Sequence, residues 1–251
     1  MNPQDSNKVR LSFEVQSYEA DVTGRIKPFY IQNHIQEAAY KGAAFCGSDH
    51  ETLRNMGVAW VLNRIHLRFS ELPKWGDKVD MDTWSRGQQG VLWHRNFLMY
   101  NEGRCIMEGT SAWTVLDLGS RSLFRGEMPF DVTRHLSEDT LPFCTKISVP
   151  KDLALDDAGS HVPLFSEIDT NTHVNNCRYT EWAMDSLPFD YLLSHTLKDL
   201  EINFYREIHP GSRVDFKLGG KDGRWYFEGR VDGSLCFVVA MDFGQDKNTT
   251  Q

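Results

Sequence analysis

The sequence predicts an α+β fold built from two similar halves, each with a long helix and an antiparallel sheet. Three observations lead to this fold class. Apolar and polar residues alternate along several segments that Gly and Pro interrupt, which is typical of half-buried antiparallel strands. A segment with apolar residues at helical spacing precedes each set of strands. The strand pattern of the second half also repeats that of the first at a constant offset.

The first half begins its pattern with a helical segment, GRIKPFYIQNHIQEAAYKGAAF, in which Ile31, Ile35 and Ala38 fall on one face. Two strand-like runs follow, separated by a turn, in NRIHLRFSELPKWGDKVDMDTW. The next segment, GVLWHRNFLMYNEGRCIMEGTSAWTVLDL, predicts a hairpin with a Gly-containing turn.

The second half carries the same elements in the same order. Its helical segment is HVNNCRYTEWAMDSLP, its strand pair is DLEINFYREIHPGSRVDFKL, and its hairpin is GRWYFEGRVDGSLCFVVAMDF. Leu67 matches Ile202 and Val79 matches Val214, each at an offset of 135 positions (202 − 67 = 135). We therefore expect a first unit over residues 1–137, a linker over 138–160 that is rich in Pro, Asp, Ser and Gly, and a second unit over 161–251.

The composition limits the class of function. With 40% hydrophobic and 25% charged residues, the chain of 251 residues is expected to be a soluble globular protein. A formal net charge of −8 argues against nucleic acid as a partner. The amino terminus lacks the basic start and apolar run of a secretory signal, and no stretch reaches the length of a membrane span, so we expect a cytoplasmic location.

The five cysteines carry no sign of a metal or disulfide framework. They form no CxxC pair and show no spacing that suits zinc. We expect reduced core thiols, no metal site and no cofactor.

The segment EIDTNTHVNNCRYTEW collects polar side chains where the second helix is expected to begin. Asp169, Asn171 and His173 alternate, so an extended approach at the end of the strand VPLFSEID would point them the same way. If the helix starts near His173, the backbone N–H groups of Val174 and Asn175 are free to bind an oxyanion. The alternative is purely structural, with Asn171 or Thr172 as a helix cap and Asp169 in an Asx turn.

The pattern D-x-N-x-H-V-N-N-x-x-Y, present from Asp169 to Tyr179, resembles the signature of hotdog-fold thioesterases, and more narrowly of the acyl-acyl-carrier-protein thioesterases of plants and bacteria. Further segments resemble that family in order and spacing, so the likeness runs from about Leu11 to Phe243; they are WVLNRIHLRFSELPKWGDKVDMDTW, SAWTVLDLGSRSLFRGEMP and INFYREIHPGS. The resemblance implies two tandem hotdog units, each a long helix wrapped by an antiparallel sheet. It also implies an acyl-chain pocket in the first unit and catalysis in the second.

The resemblance assigns catalysis to Asp169, Asn171, His173 and Glu207, the last in YREI. Glu207 and His173 would orient and deprotonate water, Asn171 would hold substrate or water, and Asp169 would act as nucleophile or as an orienting group. Plant members usually have Cys after the Glu, whereas this chain has Ile208, so no thiol nucleophile stands there.

The first half offers an internal comparison at the same motif. Its DVTGRI aligns with DTNTHV, so Asp21 matches Asp169, whereas Thr23 replaces the Asn and Arg25 replaces the His. This loss is expected if only the second unit is catalytic.

The partner implied is an acyl carrier protein that presents a fatty acyl-phosphopantetheine, and a homodimer stays open. One alternative is an acyl-CoA thioesterase of the same fold, since both substrates share the phosphopantetheine arm. A hotdog hydratase, whose motif resembles D-x-N-P-x-H, is disfavoured because the Pro is absent and the His comes one residue early. A non-catalytic acyl-binding module is disfavoured because the polar groups are kept together in the second half.

Overall fold

The computed structural model describes residues 7–131, 135, 136, 138 and 140–245. The chain divides into two compact units. The first comprises Met1–Ile26 and Ile31–Cys144, and the second comprises Lys27–Tyr30 and Thr145–Gln251. The division after Cys144 falls inside the segment 138–160, which the sequence indicated as a linker.

The first unit contains an antiparallel sheet. Its strands are β1 Val9–Glu14, β2 Val58–Phe69, β3 Lys78–Gln89, β4 Leu92–Asn101, β5 Arg104–Asp117 and the short β6 Ser122–Leu123. The main strands lie in the order β1, β3, β4, β5, β2, and β6 pairs with β5. The predicted hairpin is β4–β5, and its turn residues Glu102 and Gly103 have φ values of 50° and 77°, as a two-residue type I′ turn requires.

Two helices, α1 Pro28–Phe45 and α2 His50–Asn55, precede strand β2. Helix α1 is the first helix that the sequence predicts. The ring of His34 stacks on that of Phe13 in β1, with centroids 3.6 Å apart. A Cβ atom on Gly42 would lie 2.1 Å from a guanidinium nitrogen of Arg95 in β4, so glycine lets the helix approach the sheet closely.

The second unit repeats this arrangement with a smaller sheet. Its strands are β7 Asp156–His161, β8 His195–Phe204, β9 Val214–Lys221, β10 Arg224–Val231 and β11 Ser234–Gln245. They lie in the antiparallel order β8, β11, β10, β9, β7. The predicted hairpin is β10–β11, and β7 lies mostly within the segment indicated as a linker, where it pairs with β9.

The helices of the second unit are α3 Arg178–Asp185 and α4 Phe189–Ser194. Rings of α3 pack on the sheet, with Tyr179 stacked on Phe237 at a centroid distance of 4.4 Å. This helical segment is shorter than α1 because α3 ends at Asp185 and Pro188 separates it from α4. In the part of the chain that the structure describes, no helix is long and apolar enough to cross a membrane.

The predicted repeat is visible in matching positions. Leu67 in β2 and Ile202 in β8 are both fully buried, and Val79 and Val214 occupy matching core positions in β3 and β9. The turns before β3 and β9 contain glycines with φ values of 87° and 80°, at positions 76 and 211. The two units are therefore variants of one α+β plan.

Candidate active site

The polar motif of the second unit forms a closed loop rather than the end of a strand. Residues 165–167 form a 3-10 turn where the sequence predicted a strand through Asp169. Ile168 and Val174 then form an antiparallel bridge, and Asp169 N donates to His173 O at 2.8 Å. The Asp169 carboxylate accepts hydrogen bonds from Asn171 N at 2.8 Å and His173 N at 3.3 Å. Asp169 thus forms the Asx turn that was the structural alternative, and it fixes the backbone of the loop.

The predicted oxyanion site at Val174 and Asn175 is wrong. Val174 N donates to Ile208 O at 2.9 Å and Asn175 N donates to Glu167 O at 2.9 Å, so neither group is free. Helix α3 begins at Arg178 instead of near His173. The reason is local, since the Asn175 side chain accepts from Cys177 N at 2.9 Å and its carbonyl accepts from Arg178 N, which forms a turn before the helix.

The structure brings His173 and Glu207 together, as the sequence predicts. Glu207 follows β8, and the hydrogen bond from Val174 N to Ile208 O places this segment beside the loop. The Nε2 atom of His173 lies 3.4 Å from an oxygen of Glu207, with the side chains 24% and 36% exposed. Asn171 is exposed in the same loop. The pair is therefore open to solvent and to a ligand.

His209 joins this pair, and sequence reasoning missed it. Its ring centroid lies 4.7 Å from that of His173 at an interplanar angle of 75°. One ligating atom from each of His173, Glu207 and His209 lies within 4.8 Å of the others. The fold thus brings together three possible ligand groups that no spacing in the sequence indicated, and the expectation of no metal site stays a prediction. Only the short spacing of Glu207 and His209 was readable, because their distance to His173 depends on the fold.

The first unit contains the same loop without these side chains. Asp21 accepts from Thr23 N at 2.7 Å and from Arg25 N at 3.2 Å, as Asp169 does in the second unit. Ile26 N donates to Pro73 O at 2.8 Å, in the place of the bond from Val174 N to Ile208 O.

The residues next to these backbone hydrogen bonds differ chemically between the two units. At the positions of His173, Glu207 and His209, the first unit has respectively Arg25, Leu72 and Lys74. The backbone frame is shared, and only the second unit equips it with an imidazole and a carboxylate.

Thr172 adds a strained conformation to the second loop. Its φ is 63°, in the left-handed region that β-branched residues avoid. The matching position in the first unit is Gly24, with a φ of 79°. The Thr172 hydroxyl donates to Asn171 O at 2.6 Å, which is a local bond within the same turn.

A buried carboxylate supports the loop from behind. Glu167 accepts hydrogen bonds from Leu164 N at 2.5 Å and from the Trp182 indole at 2.7 Å, and it pairs with the His161 imidazole at 2.7 Å. Burial opposes ionisation of Glu167, but the hydrogen bonds from His161, Leu164 and Trp182 outweigh it and lower the pKa of the carboxyl. Glu19 plays the matching part in the first unit, where it pairs with His34 at 3.0 Å.

The cysteines do not supply a nucleophile to this loop. All five are reduced thiols, and four of them are buried; Cys105 is exposed, contrary to the expectation of a core thiol. Cys177 lies next to the start of α3, but burial raises its pKa to about 12 and keeps it protonated. Ile208, which follows Glu207, is buried.

The chain matches known protein families and is similar to known protein sequences. Residues 6–133 match the model of the acyl-ACP thioesterase N-terminal domain, and residues 156–229 match that of the acyl-ACP thioesterase C-terminal domain. The chain is 32% identical over 231 residues to a chloroplastic palmitoyl-acyl carrier protein thioesterase from Gossypium hirsutum, which covers 81% of this chain and 53% of that protein. It is 25% identical to the chloroplastic oleoyl-acyl carrier protein thioesterase 2 of Arabidopsis thaliana, covering 84% and 63% of the two chains.

Solved structures share the fold. An acyl-ACP thioesterase from Bacteroides thetaiotaomicron superposes with a TM-score of 0.85 at 21% identity, covering 96% of this chain and 99% of that one. The 12:0-ACP thioesterase from Umbellularia californica gives a TM-score of 0.84 at 19% identity, covering 96% and 98%. The predicted fold of two tandem hotdog units is confirmed. This chain spans just over half of the length of the relative from Gossypium hirsutum.

Proposed function

The chain belongs to the acyl-acyl-carrier-protein thioesterase family, and from this premise we propose that it hydrolyses fatty acyl-carrier-protein thioesters to a free fatty acid and the holo carrier protein. The observation that carries the proposal is the pair His173 and Glu207, held 3.4 Å apart where the loop of the second unit lies beside the segment that follows β8. The same loop in the first unit lacks both groups.

The proposed reaction uses the pair to activate water. Water attacks the thioester carbonyl carbon, its proton passes to the His173 and Glu207 pair, and the C–S bond breaks as the tetrahedral intermediate collapses. The thiolate leaves and takes up a proton. Asn171, exposed beside His173, would donate its side-chain amide to the carbonyl oxygen.

Asp169 takes a positioning role in this proposal. Its carboxylate already accepts two backbone N–H groups of the loop. Asp21 does the same in a loop that has lost the His and the Glu. Because the Asp carboxylate accepts the same backbone hydrogen bonds in both units, its role is to hold the loop. Water is therefore the proposed nucleophile.

The substrate is testable with a panel of thioesters. Purified protein would be assayed with acyl-carrier-protein and acyl-CoA thioesters of several chain lengths, with His173→Ala as the matched inactive variant. We expect carrier-protein thioesters to give the higher kcat/KM. A preference for acyl-CoA would favour the alternative substrate, and no turnover of either class by folded protein would contradict the proposal.

The location and the remaining partners are further proposals. We propose a cytoplasmic location and no nucleic acid partner for a chain of net charge −8, and the homodimer stays an open alternative to the monomer. Cell fractionation, a nucleic-acid binding assay and light scattering of the purified protein would test these three statements separately.

A further inference from the structure

The cluster of His173, Glu207 and His209 offers a metal-ligand set, whereas the proposed hydrolysis uses only His173 and Glu207. The set consists of two imidazole nitrogens and one carboxylate oxygen, all within 4.8 Å of one another. Two His and one Glu with an open fourth position form a common zinc site in hydrolases. Imidazole ligands favour Zn²⁺ over Mg²⁺ and Ca²⁺, which prefer oxygen.

The distances agree with a tetrahedral ion. Zn–N bonds of about 2.0–2.1 Å and Zn–O bonds of about 2.0–2.2 Å place neighbouring ligand atoms roughly 3.4 Å apart. The Nε2 atom of His173 already lies 3.4 Å from Glu207. His209 is exposed, so a side-chain rotation can bring its nitrogen into the same shell.

The backbone holds the two segments that supply the ligands. Val174 N donates to Ile208 O at 2.9 Å, so the residues next to this bond, His173 on one side and Glu207 and His209 on the other, stay side by side. Much of the entropic cost of collecting three ligands is therefore met by folding.

The first unit provides a built-in negative control. The same backbone bond, from Ile26 N to Pro73 O, brings together Arg25, Leu72 and Lys74, which at neutral pH offer no metal ligand. The ligand set therefore comes from the side chains of the second unit and is not a general property of the loop.

We propose that His173, Glu207 and His209 bind one Zn²⁺ ion and that bound Zn²⁺ inhibits the enzyme. The inhibitory half rests on the proposed function, whereas metal binding does not. Coordination occupies the lone pair of His173 Nε2 and the charge of Glu207, which are the groups proposed to accept the proton of water. A molecule loaded with zinc would therefore lose its general base.

Zinc titration calorimetry on the full chain tests the binding. The variant His209→Asn removes one ligand and leaves His173 and Glu207 in place, and His50→Asn removes an exposed imidazole from the first unit as a control. We expect the wild type and His50→Asn to bind one more Zn²⁺ than His209→Asn, or to bind it at least about 10–100-fold more tightly, since even outer-shell changes cost that much. Equal stoichiometry and affinity in all three proteins would overturn the site.

A spectroscopic measurement reports the coordination geometry of the metal and does not depend on enzyme activity. Co²⁺ added to the wild type should produce the visible absorption of a four-coordinate nitrogen and oxygen site, and Mg²⁺ should not displace it. His209→Asn should lose that absorption. A Co²⁺ spectrum that is unchanged in His209→Asn would place the ion elsewhere and contradict the assignment.

The inhibition is measured against each variant's own metal-free rate. We expect Zn²⁺ to suppress wild-type thioester hydrolysis, a chelator to restore it, and His209→Asn to need at least about 10–100-fold more Zn²⁺ for the same suppression. Zinc that binds with the expected stoichiometry but leaves the rate unchanged, or raises it, would overturn the inhibitory half. If no thioester is hydrolysed at all, the proposed function fails while calorimetry still decides the metal site.

Discussion

The Nε2 atom of His173 lies 3.4 Å from a carboxylate oxygen of Glu207, although the two residues belong to separate segments of the second unit. The first unit holds Arg25 and Leu72 at the matching backbone positions. The same backbone arrangement thus occurs once with the imidazole and carboxylate and once without them. Matched substitutions in the two units can therefore separate catalytic effects from structural effects.

Removal of either member of the pair should slow the chemical step. General base assistance contributes about a hundredfold to ten-thousandfold in rate, so His173→Ala and Glu207→Gln should each lower kcat by that order while KM changes little. Because both groups act on the same water, the double variant should be scarcely slower than the slower single variant. Steady-state kinetics measure this effect, and circular dichroism checks the folding.

The matched control lies in the first unit. Arg25→Ala and Thr23→Ala change the corresponding loop there and should leave kcat largely intact. If Arg25→Ala removes activity as fully as His173→Ala, the division of labour between the units is wrong.

Asp169→Asn should separate a positioning role from a nucleophilic one. An Asn side chain keeps an oxygen that can accept the N–H groups of Asn171 and His173, so we expect the folded variant to retain most of its kcat. Asp169→Ala removes that acceptor and should lower both stability and kcat. Measurement of kcat for the two variants decides the question, because a nucleophilic Asp169 would make Asn as inactive as Ala.

The sequence predicted the parts of the fold that depend on local periodicity. Alternation along β2 and β8, and the turns that precede β3 and β9, are read directly because burial on a sheet follows the residue spacing. The offset of 135 also maps Glu207 onto Leu72, so the loss of the carboxylate in the first unit was readable.

Other features depended on competing hydrogen bonds or on contacts between distant segments. The start of α3 was misplaced because the Asn175 side chain forms a turn that periodicity does not reveal. The proximity of His209 to His173 depends on the bond from Val174 N to Ile208 O, which no local pattern indicates.

Thr172 and Gly24 should respond in opposite ways to substitution. Thr172→Asn places a residue that tolerates the left-handed region at a φ of 63° and should raise the free energy of unfolding by about 0.5–1 kcal/mol. Gly24→Thr creates the same strain at a φ of 79° with no steric contact within 4 Å and should lower it by about 1–2 kcal/mol. Urea denaturation measures both changes. A stabilised Thr172→Asn that also loses kcat would show that the strain serves catalysis, whereas no stabilisation would contradict the assigned strain.

Glu167→Gln should lower the free energy of unfolding and make it depend less on pH in the acid range. The pKa of Glu167 is lowered in the folded protein, so its ionised form stabilises the fold above the unfolded pKa of about 4.5, and that contribution is lost as the pH falls through the folded pKa. Replacement of this buried, hydrogen-bonded carboxylate should cost about 1–3 kcal/mol at pH 7. Urea denaturation from pH 7 down to pH 3 should therefore show a difference in the free energy of unfolding between wild type and variant that narrows at acid pH.

Glu127→Gln, at an exposed carboxylate of the first unit, is the control and should leave the free energy of unfolding within about 0.5 kcal/mol of the wild type at every pH. A gap between wild type and Glu167→Gln that stays constant down to pH 3 would mean that the ionised carboxylate is not what the three hydrogen-bonding partners stabilise.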